Sequence, residues 1–307
     1  MKKIMCILVC GLLTVGTLTG CGSSSSGSSS KSTAASESSA GSDSAKKDLS
    51  GTITAAGSSA LKPLVDDAAN SFIEKNPNVS ITVDAGGSGE GLKQVAEGTV
   101  TIGNSDVAAA DKLDATQAAT LVDNQVCVIT FAPIVNEDVK KAGVSSLTTD
   151  QLISIFTGKT TNWKDVGGPD ENIVLVTRPD SSGTRSVFTK YALNGNAEAS
   201  NTSMETDDSG VLLQNVKSTK GSIGYVALSY LTGSSGVEAV SINGVAPTIE
   251  NTYSGKYKVW SFEHMYTKGQ PDDVTKAFIE YIQSDKYGSQ MEKLGYGVAT
   301  KMTVTTH

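Results

Sequence analysis

Histidine and cysteine are almost missing from this chain, and so is the chemistry that depends on them. Two histidines occur in 307 residues, His264 and the terminal His307. A zinc site or a serine–histidine nucleophile needs more than this pair offers. Of four cysteines, three (Cys6, Cys10, Cys21) fall within the first 21 residues, leaving only Cys127 beyond them. One cysteine closes no internal disulfide, and Cys127 sits in the apolar run Val126-Cys127-Val128-Ile129, which assigns it to packing. Positive charge is not in excess either. The 25 Lys and Arg against 32 Asp and Glu leave a net charge of −7, which points away from nucleic acid. Any anion site must then work through local dipoles and donors, against the global field. Two well-known phosphate fingerprints are also missing. Gly86 to Lys93 nears a P-loop but has Leu92 where glycine should precede the lysine. Gly87, Gly89 and Gly91 are spaced G-x-G-x-G, one residue off the dinucleotide pattern. Nucleotide hydrolysis and dinucleotide binding are excluded on that ground.

What is present begins with an export signal. Met1-Lys2-Lys3 is a basic start, and Ile4 to Val15 is an apolar run too short and wrongly flanked for a membrane span. It ends in Leu18-Thr19-Gly20-Cys21, which resembles the lipobox of bacterial lipoproteins. The resemblance implies a signal peptide over 1–20, cleavage before Cys21, and lipid on its thiol and new amine. Residues 21–50 form the lipidated cysteine and a serine-rich linker with almost no apolar content. Such a segment buries too little surface to fold and acts as a flexible leash with a reach of roughly 30 Å. A diacyl group suffices as an anchor. The expected location is extracytoplasmic, tethered to the cell membrane, as a monomer. The body from 51 onward is long enough for two domains.

The body alternates strands, polar turns and helices. Thr52 to Ala56 reads as a strand, followed by Gly57-Ser58-Ser59-Ala60 and a helix through Ala68 and Phe72 to the stop at Asn76-Pro77. Val79 to Val83 alternates as a second strand, then comes the turn Gly86-Gly87-Ser88-Gly89-Glu90-Gly91 and a helix carrying Leu92, Val95 and Ala96. Val100 to Gly103 is a third strand ending in Asn104-Ser105-Asp106. Asn124 to Ile134 reads as a buried strand or a crossing between domains, and Thr148 caps a helix through Phe156. Residues 211–216 and 273–283 read as helices, and 221–226 as a strand. Three strand–turn–helix passes predict an α/β fold with a parallel sheet, whose ligands sit at the carboxyl ends of strands.

The stretch Thr177-Arg178-Pro179-Asp180-Ser181-Ser182-Gly183-Thr184 comes after the β-branched run Ile173 to Val176 and precedes a helix from Arg185 to Tyr191. Strand, polar turn and helix aim free backbone N–H groups at a bound anion. Ser182 and Thr184 add hydroxyl donors, Gly183 admits close approach, and Arg178 brings a planar fork of donors suited to an oxyanion. Taken alone, the stretch also fits an ordinary helix cap made by Ser182 or Thr184.

Together these residues carry a resemblance. Ala56 to Ala60, Gly86 to Gly91, Ile102 to Asp106, Arg178 to Thr184, Trp163 in Thr161-Asn162-Trp163, and Gly221 to Tyr225 resemble the phosphate-binding lipoproteins of bacterial phosphate ABC transporters, in the periplasmic-binding-protein-like group. The resemblance spans the whole body. It implies a type II fold of two α/β lobes with mixed, mostly parallel sheets, two hinge-crossing strands and the anion in the cleft. Lobe 1 would be 51–128 plus 260–307, and lobe 2 would be 129–259. It implies that Ser59, the Ala60 N–H, Ser88, Arg178, Ser182, the Gly183 N–H and Thr184 donate to inorganic phosphate. Some members carry an aromatic residue at Ala60, a change that a backbone contact survives. The implied partners are phosphate and ABC permease subunits, with no cofactor, no metal and no catalytic residue.

Asp106 is the most informative position. A carboxylate facing an anion is costly unless the ligand brings a proton, which phosphate has near neutral pH and sulfate lacks. Asp106 therefore reads as the gate between them, or, more plainly, as the cap of a helix after the third strand. A phosphate sensor without transport, and a binding protein for another oxyanion, stand as alternatives. Ser88 and Ser182 have no histidine partner, so phosphatase chemistry is not expected. Lys62, beside the first turn, either reaches the anion or only lends field.

Overall fold

The computed structural model describes residues 48–199 and 203–307. The signal segment, the Cys21 lipid site and the linker as far as residue 47 lie outside them. In chain order the structure has β1 (Ser50–Gly57), α1 (Lys62–Lys75), β2 (Asn78–Ala85), α2 (Ser88–Glu97) and β3 (Ile102–Ser105). Next come α3 (Ala115–Ala118), β4 (Leu121–Asn136), α4 (Glu137–Lys141), β5 (Ser146–Leu147), α5 (Thr149–Phe156), β6 (Val174–Thr177) and α6 (Gly183–Tyr191). After them lie β7 (Ser203–Glu205), α7 (Ser209–Ser218), β8 (Ser222–Ala227), β9 (Val237–Ala239), β10 (Ser241–Ile242) and α8 (Ile249–Tyr253). The chain ends with β11 (Trp260–Lys268), α9 (Asp273–Gln283) and α10 (Asp285–Lys293).

Local chemistry explains most of these boundaries. Pro63 opens α1, where a missing N–H costs nothing, and Leu64, Val65, Ala68, Ala69 and Phe72 give it one buried face. Thr148 and Gln151 form a reciprocal capping box at the start of α5. One expected boundary moves. The glycine-rich turn, expected to run to Gly91, ends earlier: α2 starts at Ser88, so Gly89 and Gly91 lie inside its first turns. Gly91 is needed there because a Cβ would stand 2.5 Å from the Ala56 carbonyl oxygen and the Gly57 Cα. The missing side chain lets α2 lie directly on β1.

The sheet order is β2-β1-β3-β11-β4-β8-β6-β7, with β9 also on β4. The triplets β2-β1-β3 and β8-β6-β7 are parallel, the first as the three strand–turn–helix passes predict. Between them β11 and β4 run antiparallel, which local periodicity does not reveal. β4 has 16 residues, buried without a break from Val126 to Asn136. It faces β11 up to Thr130 and β8 from Phe131 on, so one strand carries the chain from one triplet to the other. The return enters β11 at Trp260, opposite Thr130. Cys127 is free and fully buried, as its apolar run implies. Trp163, expected in a loop, is also fully buried, and its Nε1 donates to the Gly221 carbonyl at 2.8 Å.

Candidate oxyanion site

The carboxyl ends of β1, β2, β3 and β6 deliver the four polar turns to one place. Asp106, just past β3, is the centre of the first group and is 1% exposed. Its Oδ1 accepts from the Ser58 hydroxyl and its Oδ2 from Thr184 Oγ1 at 2.6 Å. Its own N–H donates to Ser88 Oγ at 3.0 Å. Gly183 opens α6 so close by that a Cβ there would meet Ser88 Oγ at 2.2 Å and the Asp106 Cβ at 3.0 Å. The N-termini of α2 and α6 thus converge, and the Gly89 N–H donates to the Ser181 carbonyl at 3.1 Å.

Arg178 is the centre of the second group and is fully buried. Its NH1 donates to the Asp207 carbonyl at 3.2 Å, and its NH2 to Ser209 Oγ at 3.0 Å and the Tyr225 carbonyl at 3.3 Å. Its Nε has no partner among the described residues. The guanidinium lies 5.7 Å over the Tyr225 ring, which stacks on Phe188 with centroids 4.1 Å apart. The aromatic core thereby sets the height of the charge. Ser59 closes the circle, since its hydroxyl donates to the Asp207 carbonyl at 2.8 Å and lies 2.9 Å from Ser209 Oγ. Ala60 is fully buried and gives its carbonyl to the Tyr296 hydroxyl.

Of the two hydroxyls that could cap the helix after Arg178, only one does so. Ser182 does cap α6, accepting from the Arg185 N–H at 3.4 Å. Thr184 spends its hydroxyl on Asp106 instead. The plainer reading of Asp106 fares differently. Both of its carboxylate oxygens receive side-chain hydroxyls from other turns, and neither caps a helix.

Two charged residues at this place carry no signal in the sequence that singles them out. Asp207, in the loop before α7, reaches across to the glycine turn, where a Cβ on Gly87 would collide with its carboxylate. Burial raises the Asp207 carboxyl above the usual range, while the Ser182 hydroxyl and Arg178 oppose that shift. Lys112 lies beyond β3 and donates to the carbonyls of Asp180 at 2.6 Å and Ser182 at 3.2 Å. It ties the β3 side to the β6 turn. Burial lowers its ammonium pKa, against the pull of Asp207, Asp180, Asp106 and Asp111. Lys62 is elsewhere occupied, by Asp66 at 2.9 Å and the Val83 carbonyl at 2.8 Å. Among the described residues, no group of three or more His, Cys, Asp or Glu is placed to hold a metal, and no helix is long and apolar enough to cross a membrane.

Buried hydroxyls, a guanidinium, two helix N-termini and the Asp106 carboxylate are groups of the kind that hold a protonated oxyanion. Comparison with known proteins identifies the family. A PBP superfamily domain model matches residues 32–286. The phosphate-binding protein PstS of Bacillus subtilis is 48% identical over 257 residues, covering 83% of each chain. A Clostridium perfringens protein, assigned as a phosphate ABC transporter substrate-binding protein and solved with bound phosphate, superposes with a TM-score of 0.73 at 30% identity, over 80% of this chain and 99% of that one. An ABC-type phosphate transport receptor from Vibrio cholerae superposes with a TM-score of 0.62 at 25% identity, over 80% and 98%. This chain belongs to the PBP superfamily and, within it, to the family of PstS phosphate-binding proteins.

Proposed function

We propose that the four turns bind inorganic phosphate in its hydrogen phosphate form and that the protein delivers it to a membrane ABC permease. The observation that carries this reading is Asp106, a buried carboxylate set among hydroxyl donors from the β1 turn and from α6. On this reading Ser59, the Ala60 N–H, Ser88, Arg178, Ser182, the Gly183 N–H and Thr184 donate to the anion. Thr184 turns its hydroxyl hydrogen to phosphate, and the Asp106 oxygen so freed accepts the ligand's O–H. Sulfate has no proton to offer and would leave a buried acceptor facing lone pairs, at a cost of several kcal/mol.

The lobes on this reading are 51–128 with 260–307, and 129–259. They part about β4 and the entry to β11, which gives the anion a way in, and their closure forms the surface a permease reads. The lipobox-like segment supports a diacyl anchor at Cys21, and Cys21→Ala should release the protein from the membrane fraction. Calorimetric titration of ligand-stripped protein tests the site. One-to-one phosphate binding with no sulfate heat is expected. Sulfate binding as well would remove Asp106 as the gate, and no response to phosphate would end the reading.

A further inference from the structure

The strand beside β3 carries another buried carboxyl group. Glu263 lies in β11, opposite Cys127 of β4, where the register shifts between Glu263 and His264. Such an irregularity re-aims side chains, and here Glu263 is fully buried. No donor reaches either of its oxygens among the described residues. On its other edge β11 pairs with β3, His264 opposite Ser105, which carries Glu263 up to Asp106, the residue after Ser105. Two carboxyl groups bond only through a proton, since two ionised ones set lone pairs against lone pairs.

We propose that Glu263 is a neutral carboxylic acid whose O–H donates to Asp106, and that it is the positioning residue of the gating carboxylate. The inference deepens the phosphate reading and rests on it. The surroundings place the proton on Glu263. Asp106 has hydroxyl donors from Ser58 and Thr184, and Lys112 lies on its side of the cradle. Glu263 faces Cys127 and Tyr296, both acids that burial keeps protonated, and no cation. His264, its neighbour in the strand, is turned to Asp123 at 2.8 Å. Burial and the Asp106 charge then both push the Glu263 carboxyl well above the usual range.

The arrangement has a use. When Thr184 swings its hydrogen to the anion, Asp106 loses one of its holders at the moment its lone pair must point at the ligand's O–H. Ser58 and Glu263 remain to hold it. A buried side chain with a single job of donation also explains why a carboxyl is tolerated in a strand whose neighbours Met265 and Trp260 are core.

The test is infrared difference spectroscopy joined to binding. At pH 8 the wild-type protein should show the carbonyl stretch of a buried neutral acid that Glu263→Gln removes. If the band is unchanged by that substitution, Glu263 is ionised and the proposal falls. In titrations, Glu263→Gln keeps an N–H donor and should hold the phosphate-over-sulfate preference within about threefold. Glu263→Met matches the length without a donor and should cut that preference by about tenfold to a hundredfold, the worth of a hydrogen bond to a charged group. An unchanged preference in Glu263→Met would overturn the positioning role. The infrared band needs no ligand, so a wild-type protein that bound no phosphate would sink the functional reading while the band still judged the proton.

Discussion

The turns after β1, β2 and β3 and the turn after β6 meet in one cradle but bring different chemistry. The first three supply hydroxyls and the carboxylate Asp106, none of them positively charged. The β6 turn supplies Arg178, fully buried above Tyr225, and the N-terminus of α6. On the proposed function one side rejects the wrong anion and the other attracts the right one. Division of labour of this kind makes selectivity and affinity separable by mutation.

The largest effect should come from Arg178→Met. It removes the buried fork, which also donates to the carbonyls of Asp207 and Tyr225. Losing charge-assisted bonds to both ligand and scaffold should weaken phosphate binding about a thousandfold or more, read by calorimetry. Phosphate binding near wild-type strength would place the attraction elsewhere. Next comes Asp106→Asn, which touches the rejecting side. Sulfate should begin to bind, and the preference for phosphate should fall about a hundredfold, while phosphate affinity changes less. An unchanged preference would assign selectivity to the β6 turn and dissolve the comparison.

A third prediction concerns stability behind the β6 turn. Glu198 is 6% exposed, and its nearest ion-pair partner, Arg185 Nε, stands 3.8 Å away, too far for a hydrogen bond. Burial pushes its carboxyl up to about 7, against Tyr225 and the two arginines. The folded protein therefore holds a proton that the unfolded chain releases near 4.5, and stability falls as pH rises across that window. The slope is about 1.4 kcal/mol per pH unit, and Glu198→Gln should flatten it in denaturant titrations at pH 4.5, 5.5 and 7. A slope that persists in Glu198→Gln would belong to another group. The smallest effects separate two lysines. Lys112→Met removes the tie between the sides and should weaken phosphate binding about three- to tenfold, as expected for a partly exposed charge. Lys62→Met should change it by less than about twofold, because that ammonium serves Asp66 and Val83. Equal losses would mean that both act through the field alone.

Much of the cradle was legible because each turn is a local event. Thr52 to Ala56, Val79 to Val83 and Ile173 to Val176 show their strand character within a few residues, and glycine and serine mark the turn after each. The partners that complete the site were not legible in that way. Asp207 joins Ser59 across 148 residues of sequence, and Lys112 reaches Ser182 across 70. Neither carries a local mark that separates it from a surface charge. Lys62 is the more visible lysine, beside the first turn, yet it faces away. Glu263 is hidden by the same rule in reverse, since a lone acid in Trp260 to Lys268 reads as the solvent face of a strand until β11 is seen between β3 and β4.

The sequence by itself determined the strand–turn–helix units, the donors in each turn and the scarcity of histidine and cysteine that argues against most catalysis. Those features arise from periodicity, caps and side-chain chemistry, all short-range. The tertiary structure alone decided that β11 and β4 join two parallel triplets, that Gly183 packs against Ser88, and that β11 carries Glu263 up to Asp106. Strand pairing depends on hydrogen bonds between segments far apart in the chain, and no window of residues carries that information.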